Sequence, residues 1–117
     1  MTEAIMITSA DGTIVTVNRA FCEITGHARD DVLGQAEKTI RSGLLPAEFY
    51  DEAYATVLRE GYWSGTSWAR RKNGSVYREW RSVRAVKDAA GSATHYVMVF
   101  YEVGGASRAA EDSSLKA

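Results

Sequence analysis

The dipeptide Asn73-Gly74 separates two long runs rich in aromatic and β-branched residues, Trp63 to Arg71 and Val76 to Lys87. Asn-Gly tolerates the positive φ that a tight turn demands, so the pattern predicts a long antiparallel hairpin. A turn containing Gly91 then leads into a further strand over Thr94–Val103. Near the other end, Asp11-Gly12 divides Ala4–Thr8 from the alternating Thr13–Val17, a second and shorter hairpin.

Between the hairpins the pattern is helical. Asn18 is a good N-cap for a helix through Ala20, Phe21, Ile24 and Thr25, which Gly26 stops. Two short helical turns are expected around Asp30–Leu33 and Glu37–Arg41, with Gly34 between them. Pro46 opens a longer helix at its first position, and Gly61 closes it. Within it Phe49, Ala53 and Val57, and Tyr50, Tyr54 and Leu58, recur every four residues as a wide apolar stripe. Strands at both ends with helices between predict an α+β fold, one antiparallel sheet with a helical layer on one face. Residues 1–103 form the domain. Residues 104–117, beginning Gly104-Gly105-Ala106-Ser107, read as a flexible tail or linker.

Hydrophobic residues make up 45% and charged residues 25% of 117, the balance of one soluble domain that needs no staples. The single cysteine, Cys22, excludes a disulfide framework and reads as a small buried thiol. Neither His27 nor His95 has ligand spacing to it, so no metal site is expected. No apolar run approaches the ~20 residues that cross a bilayer, and the N-terminus lacks a signal pattern. A cytoplasmic location without membrane contact is the expectation. The net charge of −1 hides an asymmetry: residues 1–61 carry five Lys/Arg against ten Asp/Glu, and residues 62–103 seven against three. Such halves are attracting layers, solvated faces or a basic binding face. No phosphate-binding loop, G-x-S-x-G, H-E-x-x-H or Ser/His/Asp set is present, so an enzyme is not expected.

The segments Ser9-Ala10-Asp11-Gly12-Thr13-Ile14-Val15-Thr16-Val17-Asn18-Arg19-Ala20-Phe21, Ile24-Thr25-Gly26-His27 and Asp31-Val32-Leu33-Gly34-Gln35 resemble the opening of a PAS domain. Arg41-Ser42-Gly43, Phe49-Tyr50, Trp63-Ser64-Gly65, Arg70-Arg71-Lys72-Asn73-Gly74 and His95-Tyr96-Val97 resemble one PAS subgroup. That subgroup serves as sensory input to bacterial diguanylate cyclases, cyclic-di-GMP phosphodiesterases and histidine kinases, and includes flavin-binding redox sensors of nitrogen fixation. The likeness spans roughly residues 3–103. It implies a five-stranded antiparallel sheet whose helices close a pocket, and a sensory or interaction module that relays a signal to an effector domain. Where the family has an acidic-x-Thr junction to that effector, this chain has Glu102-Val103-Gly104.

The same likeness bears on the pocket. Light-oxygen-voltage domains need a cysteine after Gly34-Gln35, where Ala36-Glu37-Lys38-Thr39-Ile40 has none, which excludes a photochemical adduct. Haem is not expected, because no histidine lies on the helices that would face it. For flavin (FAD), the alternative cofactor, Glu37 matches an acidic residue of the redox sensors, and Tyr54 replaces their tryptophan. Ala69 stands where they place the asparagine that binds the flavin ring. By the family's register Ser67, Ala69, Arg71, Tyr77, Glu79, Arg81, Val83, Ala85, Tyr96, Met98 and Phe100 face inward. The pocket-lining candidates are thus Glu37, Tyr54, Ala69, Glu79 and Met98, with Arg71 or Arg81 as partner of Glu79 in a structural ion pair or in recognition of a small polar ligand.

The outward set carries Trp68, Trp80, Val97, Val99 and Tyr101, an aromatic face that needs a cover. The chain starts directly at its first strand without a flanking helix, so a homodimer through this face is expected, with Arg78 and Arg84 at its rim. Arg70, Arg71, Lys72, Arg78, Arg81, Arg84 and Lys87 interleaved with Trp68, Tyr77 and Trp80 leave a single-stranded nucleic-acid platform as a further alternative. The pI near 6.1 and the acidic first half argue against it.

Overall fold

Three hairpin loops close in the same way. In a computed structural model that describes residues 2–107, the pairs Ser9–Thr13, Arg71–Ser75 and Asp88–Ser92 are each closed by an N–H to carbonyl bond of 2.8–2.9 Å. In each loop the last residue is a glycine (Gly12, Gly74, Gly91) with φ between 85° and 93°, and its N–H returns to the first residue's carbonyl. This is a three-residue connection whose left-handed position only glycine takes without strain. Asn73 therefore acts differently from its glycine. It stays at negative φ, and its side chain accepts from the Ser75 N–H at 2.9 Å. Asp11 and Asp88 do the same for Thr13 and Ser92.

These turns join β1 (Ala4–Ser9) to β2 (Ile14–Val17), β3 (Tyr62–Arg70) to β4 (Val76–Lys87), and β4 to β5 (Ala93–Ser107). The five strands form one antiparallel sheet in the order β2-β1-β5-β4-β3. The last strand thus lies in the middle and joins the two hairpins. Between β2 and β3 the chain forms α1 (Arg19–Thr25), α2 (Arg29–Val32), a 3-10 turn over Glu37–Ile40, and α3 (Ala47–Glu60). The α+β architecture with five antiparallel strands is the one expected.

Three expectations are corrected. The strand β5 continues to Ser107, so Gly104 to Ser107 are strand rather than the start of a tail. The length of β4 explains this, since Tyr77 pairs with Ser107 after an irregularity that begins beyond Glu79–Glu102. The remainder of the expected tail, residues 108–117, lies outside the described residues. Pro46 is the cap residue before α3 (φ −68°, ψ 157°) and not its first helical residue. The apolar stripe of α3 is also narrower than its spacing suggests: Ala53 and Val57 are buried, but Leu58 is 53% exposed.

The core lies between the sheet and the helices. Met6, Ile14, Val17, Phe21, Val32, Val57, Val83, Tyr96, Met98 and Phe100 are buried there, and Phe21 meets Phe100 edge to face at 5.9 Å. Helix α1 is tied at both ends to segments far away in sequence. Asn18 Oδ1 accepts from the N–H groups of Phe21 and Ile5, each at 2.9 Å, while Nδ2 donates to the Glu3 carbonyl at 3.0 Å. One side chain thereby caps the helix and ties it to β1. At the other end Gly26 (φ 79°) ends the helix, and the Arg71 guanidinium and Lys72 N–H bind the Ile24 and Thr25 carbonyls at 2.8 Å. A cation at a helix C-terminus is favourable, and here it docks the β3–β4 turn onto α1.

Replacing Asn18 by alanine removes a cap and two strand contacts together. Asn18→Ala is expected to lower stability by roughly 2 kcal/mol in urea unfolding, with Asn18→Asp, which keeps the acceptor, losing about half as much.

Candidate functional site

On the inner side of β3 one large residue, Trp63, is followed by three small ones. Gly65, Ser67 and Ala69 stand opposite Arg81, Glu79 and Tyr77 of β4. Bulk missing from the edge strand leaves room under the helices, and a cavity of about 90 Å³ lies there. Its walls are aromatic and aliphatic, with Phe21, Phe49, Tyr54, Trp63 and Phe100 prominent. All five candidates from the sequence, Glu37, Tyr54, Ala69, Glu79 and Met98, line this one cavity.

Two carboxylates enter it from opposite layers, and each is paired. On the helical side Glu37 has a side chain only 7% exposed and receives a two-pronged contact from Arg41, Nε to Oε2 at 2.9 Å and Nη2 to Oε1 at 2.8 Å. The Tyr54 hydroxyl donates to Oε1 at 3.0 Å. The first hairpin sets the backbone position, because the Glu37 N–H donates to the Gly12 carbonyl at 2.8 Å. Arg41 also lies over the Tyr50 ring, 3.9 Å from its centroid. On the sheet side Glu79, with 5% of its side chain exposed, accepts from Arg81 Nε at 2.9 Å and from the Tyr77 hydroxyl at 3.2 Å. Arg81 covers the Phe100 ring at 4.4 Å.

Arg81 is therefore the partner of Glu79. Arg71, the other candidate, instead binds Glu102 at 2.7 Å and lies over the Tyr77 ring. Arg41, quoted from the sequence only within a family motif, is not among the pocket candidates, although its spacing of four from Glu37 on a helical segment was a visible signal.

Burial alone would raise the pKa of Glu37, but the hydrogen bonds and charge of Arg41, helped by Arg81 and Tyr54, hold it below the usual value. Burial and the neighbouring carboxylates push Tyr54 and Tyr77 well above the ordinary phenol range, so both remain hydroxyl donors. Burial, then Lys72, lowers His27, which borders the cavity as a neutral ring at pH 7.

The opposite face of the sheet carries the expected aromatic group. Trp80 stacks on Tyr101 with ring centroids 5.1 Å apart, and Val97 and Val99 pair with Ile7 and Ile5 of β1. Trp68 lies across from Arg78, and together with Arg70 it also borders the cavity at the edge strand. Arg84 covers the Tyr62 ring at 4.4 Å. With Arg71 and Arg81 engaged by carboxylates on the inner side, the basic run is split between the two faces. Ion pairs both join the acidic and basic halves of the chain and form within them. Lys72–Asp31, at 3.8 Å and exposed on both sides, joins the two, whereas Glu37–Arg41, Glu79–Arg81 and Arg71–Glu102 form within their own halves. Among the described residues no cluster of potential metal ligands occurs, and no helix is long and apolar enough to cross a membrane.

A sheet of this order with helices closing a cavity on one face defines the PAS class, and the PAS domain family model matches residues 2–103. The chain belongs to the PAS family and is a sensory domain of that kind. It is 31% identical over 94 residues to the nitrogen fixation regulatory protein of Klebsiella oxytoca, covering 80% of this chain and 19% of that protein. The chain thus spans about a fifth of the curated relatives it matches. Among solved structures, the PAS domain of a Colwellia psychrerythraea protein superposes with a TM-score of 0.81 at 16% identity, covering 86% of both chains. The light-oxygen-voltage domain of a blue-light activated histidine kinase from Erythrobacter litoralis gives 0.75 at 17% identity, covering 89% of this chain and 98% of that one.

Because the folded-state value of Glu37 is depressed, its contribution to stability is complete above the unfolded carboxyl value of 4.5 and is lost as pH falls through the lower folded value. Stability is expected to drop below pH ~4.5, with a shallower slope in Glu37→Gln. Arg41→Met, which strands the carboxylate, is expected to cost about 3 kcal/mol at neutral pH by chemical denaturation.

Proposed function

We infer that this PAS domain is a non-enzymatic, cytoplasmic sensory module that holds a small molecule in its interior cavity and relays occupancy through the sheet to its outer face. The observation that carries this reading is the cavity itself: it is walled by aromatic rings and reached by two buried carboxylate–guanidinium pairs, one from each layer. Such pairs are costly unless satisfied, and they give a cavity few but well-placed polar groups. Glu37 and Tyr54 sense from the helical side, and Ala69, Glu79 and Met98 from the sheet. Trp68, Trp80, Val97, Val99 and Tyr101 form the output face, on which a second copy docks, with an effector domain in a longer signalling protein as the recipient.

A nuclear magnetic resonance screen of small organic molecules tests the cavity. Binders are expected to shift the amides of Ser67, Ala69 and Met98, and to lose that effect in Ala69→Phe. Shifts confined to the outer surface would overturn the reading. For the output face, size-exclusion chromatography with light scattering is expected to show a dimer that Val99→Glu converts to monomer. A clean monomer at high concentration would remove the dimer.

The second reading is a flavin redox sensor, supported by the likeness to nitrogen fixation regulatory proteins and by Glu37 and Tyr54 at the cavity. Against it, Ala69 offers no amide to the ring edge, and three fused rings exceed about 90 Å³. The visible absorption spectrum of the purified protein separates the two. A colourless protein is expected, and a flavin band retained through purification would replace the first reading with the second.

A further inference from the structure

Arg81 has hydrogen-bonding capacity that the protein leaves open. A guanidinium carries five N–H donors. Nε–H goes to Glu79, and Nη1 approaches only the Met98 thioether, a weak acceptor, at 3.6 Å. The side chain keeps 24% of its surface accessible although it projects from the inner face of the sheet and lines the cavity. Its neighbours across the ladder are Phe100, whose ring lies under it, and Gly65, which has no side chain of its own and is packed against the Trp63 ring. Next to it, Glu79 accepts two hydrogen bonds where a carboxylate offers about four acceptor positions. The cavity therefore presents a donor and an acceptor side by side.

Charge and shape narrow what can meet them. Glu37 is balanced by Arg41 and Glu79 by Arg81, so an ion entering the cavity would find no opposite charge to offset its lost hydration. Phe49 and Trp63 meet edge to face at 5.6 Å and present flat walls. At about 90 Å³ the space is smaller than the ~150 Å³ cavity that accepts benzene, so one small ring, with slight widening, is the upper size.

The geometry points to a neutral, planar ligand with adjacent C=O and N–H groups, a one-ring cyclic amide or pyrimidine, whose carbonyl accepts from Arg81 and whose N–H donates to Glu79. This rests on the reading of the cavity as a ligand site and names the ligand's class.

The test is a titration of the purified chain, followed by amide chemical shifts, with four probes: uracil, dimethyluracil, benzoate and benzene. Uracil is expected to give saturable shifts at Gly65, Ser67, Glu79 and Arg81. Dimethyluracil, which lacks the N–H, benzoate, which is charged, and benzene, which has neither group, are each expected to bind at least roughly tenfold more weakly. Arg81→Lys keeps the charge beside Glu79 but loses the fork, and is expected to weaken uracil by roughly tenfold or more. Ser67→Leu fills the cavity from the edge strand while keeping all four residues of the two ion pairs, and is expected to abolish binding even if Arg81→Lys does not fold. Benzoate, benzene or dimethyluracil binding as tightly as uracil, or a folded Arg81→Lys binding uracil normally, would overturn the ligand class and leave the cavity reading intact. No shift from any probe would overturn the cavity reading itself.

Discussion

A carboxylate inside a protein must be paired, and this domain places two of them, Glu37 and Glu79, on facing layers of one small cavity. Much of the interior arrangement answers that demand. Arg41 reaches back along its own segment to Glu37, and Tyr54 on α3 adds a hydroxyl, so the short 3-10 turn and the long helix are locked to each other. Arg81 and Tyr77 do the same for Glu79 along β4. Glu102, the Cα partner of Glu79 on β5, carries the same charge and is neutralised separately by Arg71, which also binds the end of α1. The ion pairs thus connect helices, sheet and turn around the space they border.

That space follows from an imbalance in side-chain size. The central strand β5 presents Tyr96, Met98 and Phe100 inward, and β4 presents Tyr77, Glu79 and Arg81, whereas the edge strand, beyond Trp63, presents Gly65, Ser67 and Ala69. Phe49 of α3 meets Trp63 of β3 edge to face, and both border the gap together with Ala53. The outer face has the reverse character. Trp80, Tyr101 and the valines of β5 lie on the strands whose other side borders the cavity.

Much of the fold was legible because it rests on local chemistry. The strand β4 was readable from Val76 to Lys87 as found, and Asn18 and Gly26 bracket α1 as their cap chemistry dictates. The hairpin glycines were readable too, although the shared three-residue form of the turns was not, since it depends on which neighbouring pair closes the ladder. Leu58 misled because spacing marks a helical face but not how far the sheet extends beneath it. The end of β5 misled because Gly104 and Gly105 look like linker until β4 supplies partners for their strand. Within the site, the inward direction of Glu79 followed from alternation along the strand. Its choice of Arg81 over Arg71 did not.

By itself the sequence determined the five strands, the helices between them, the two faces of the long hairpin, and the family these features define. Turn glycines, caps and two-residue alternation act over a few residues, and no distant contact can override all of them at once. Only the tertiary structure decided that the last strand lies between the first and fourth, that Gly12 holds Glu37 at the cavity wall, and that Arg71 serves α1 and Glu102 while Arg81 remains open to the cavity. Those outcomes depend on which charged groups meet once the layers close, and burial makes each buried charge take the nearest partner with suitable geometry.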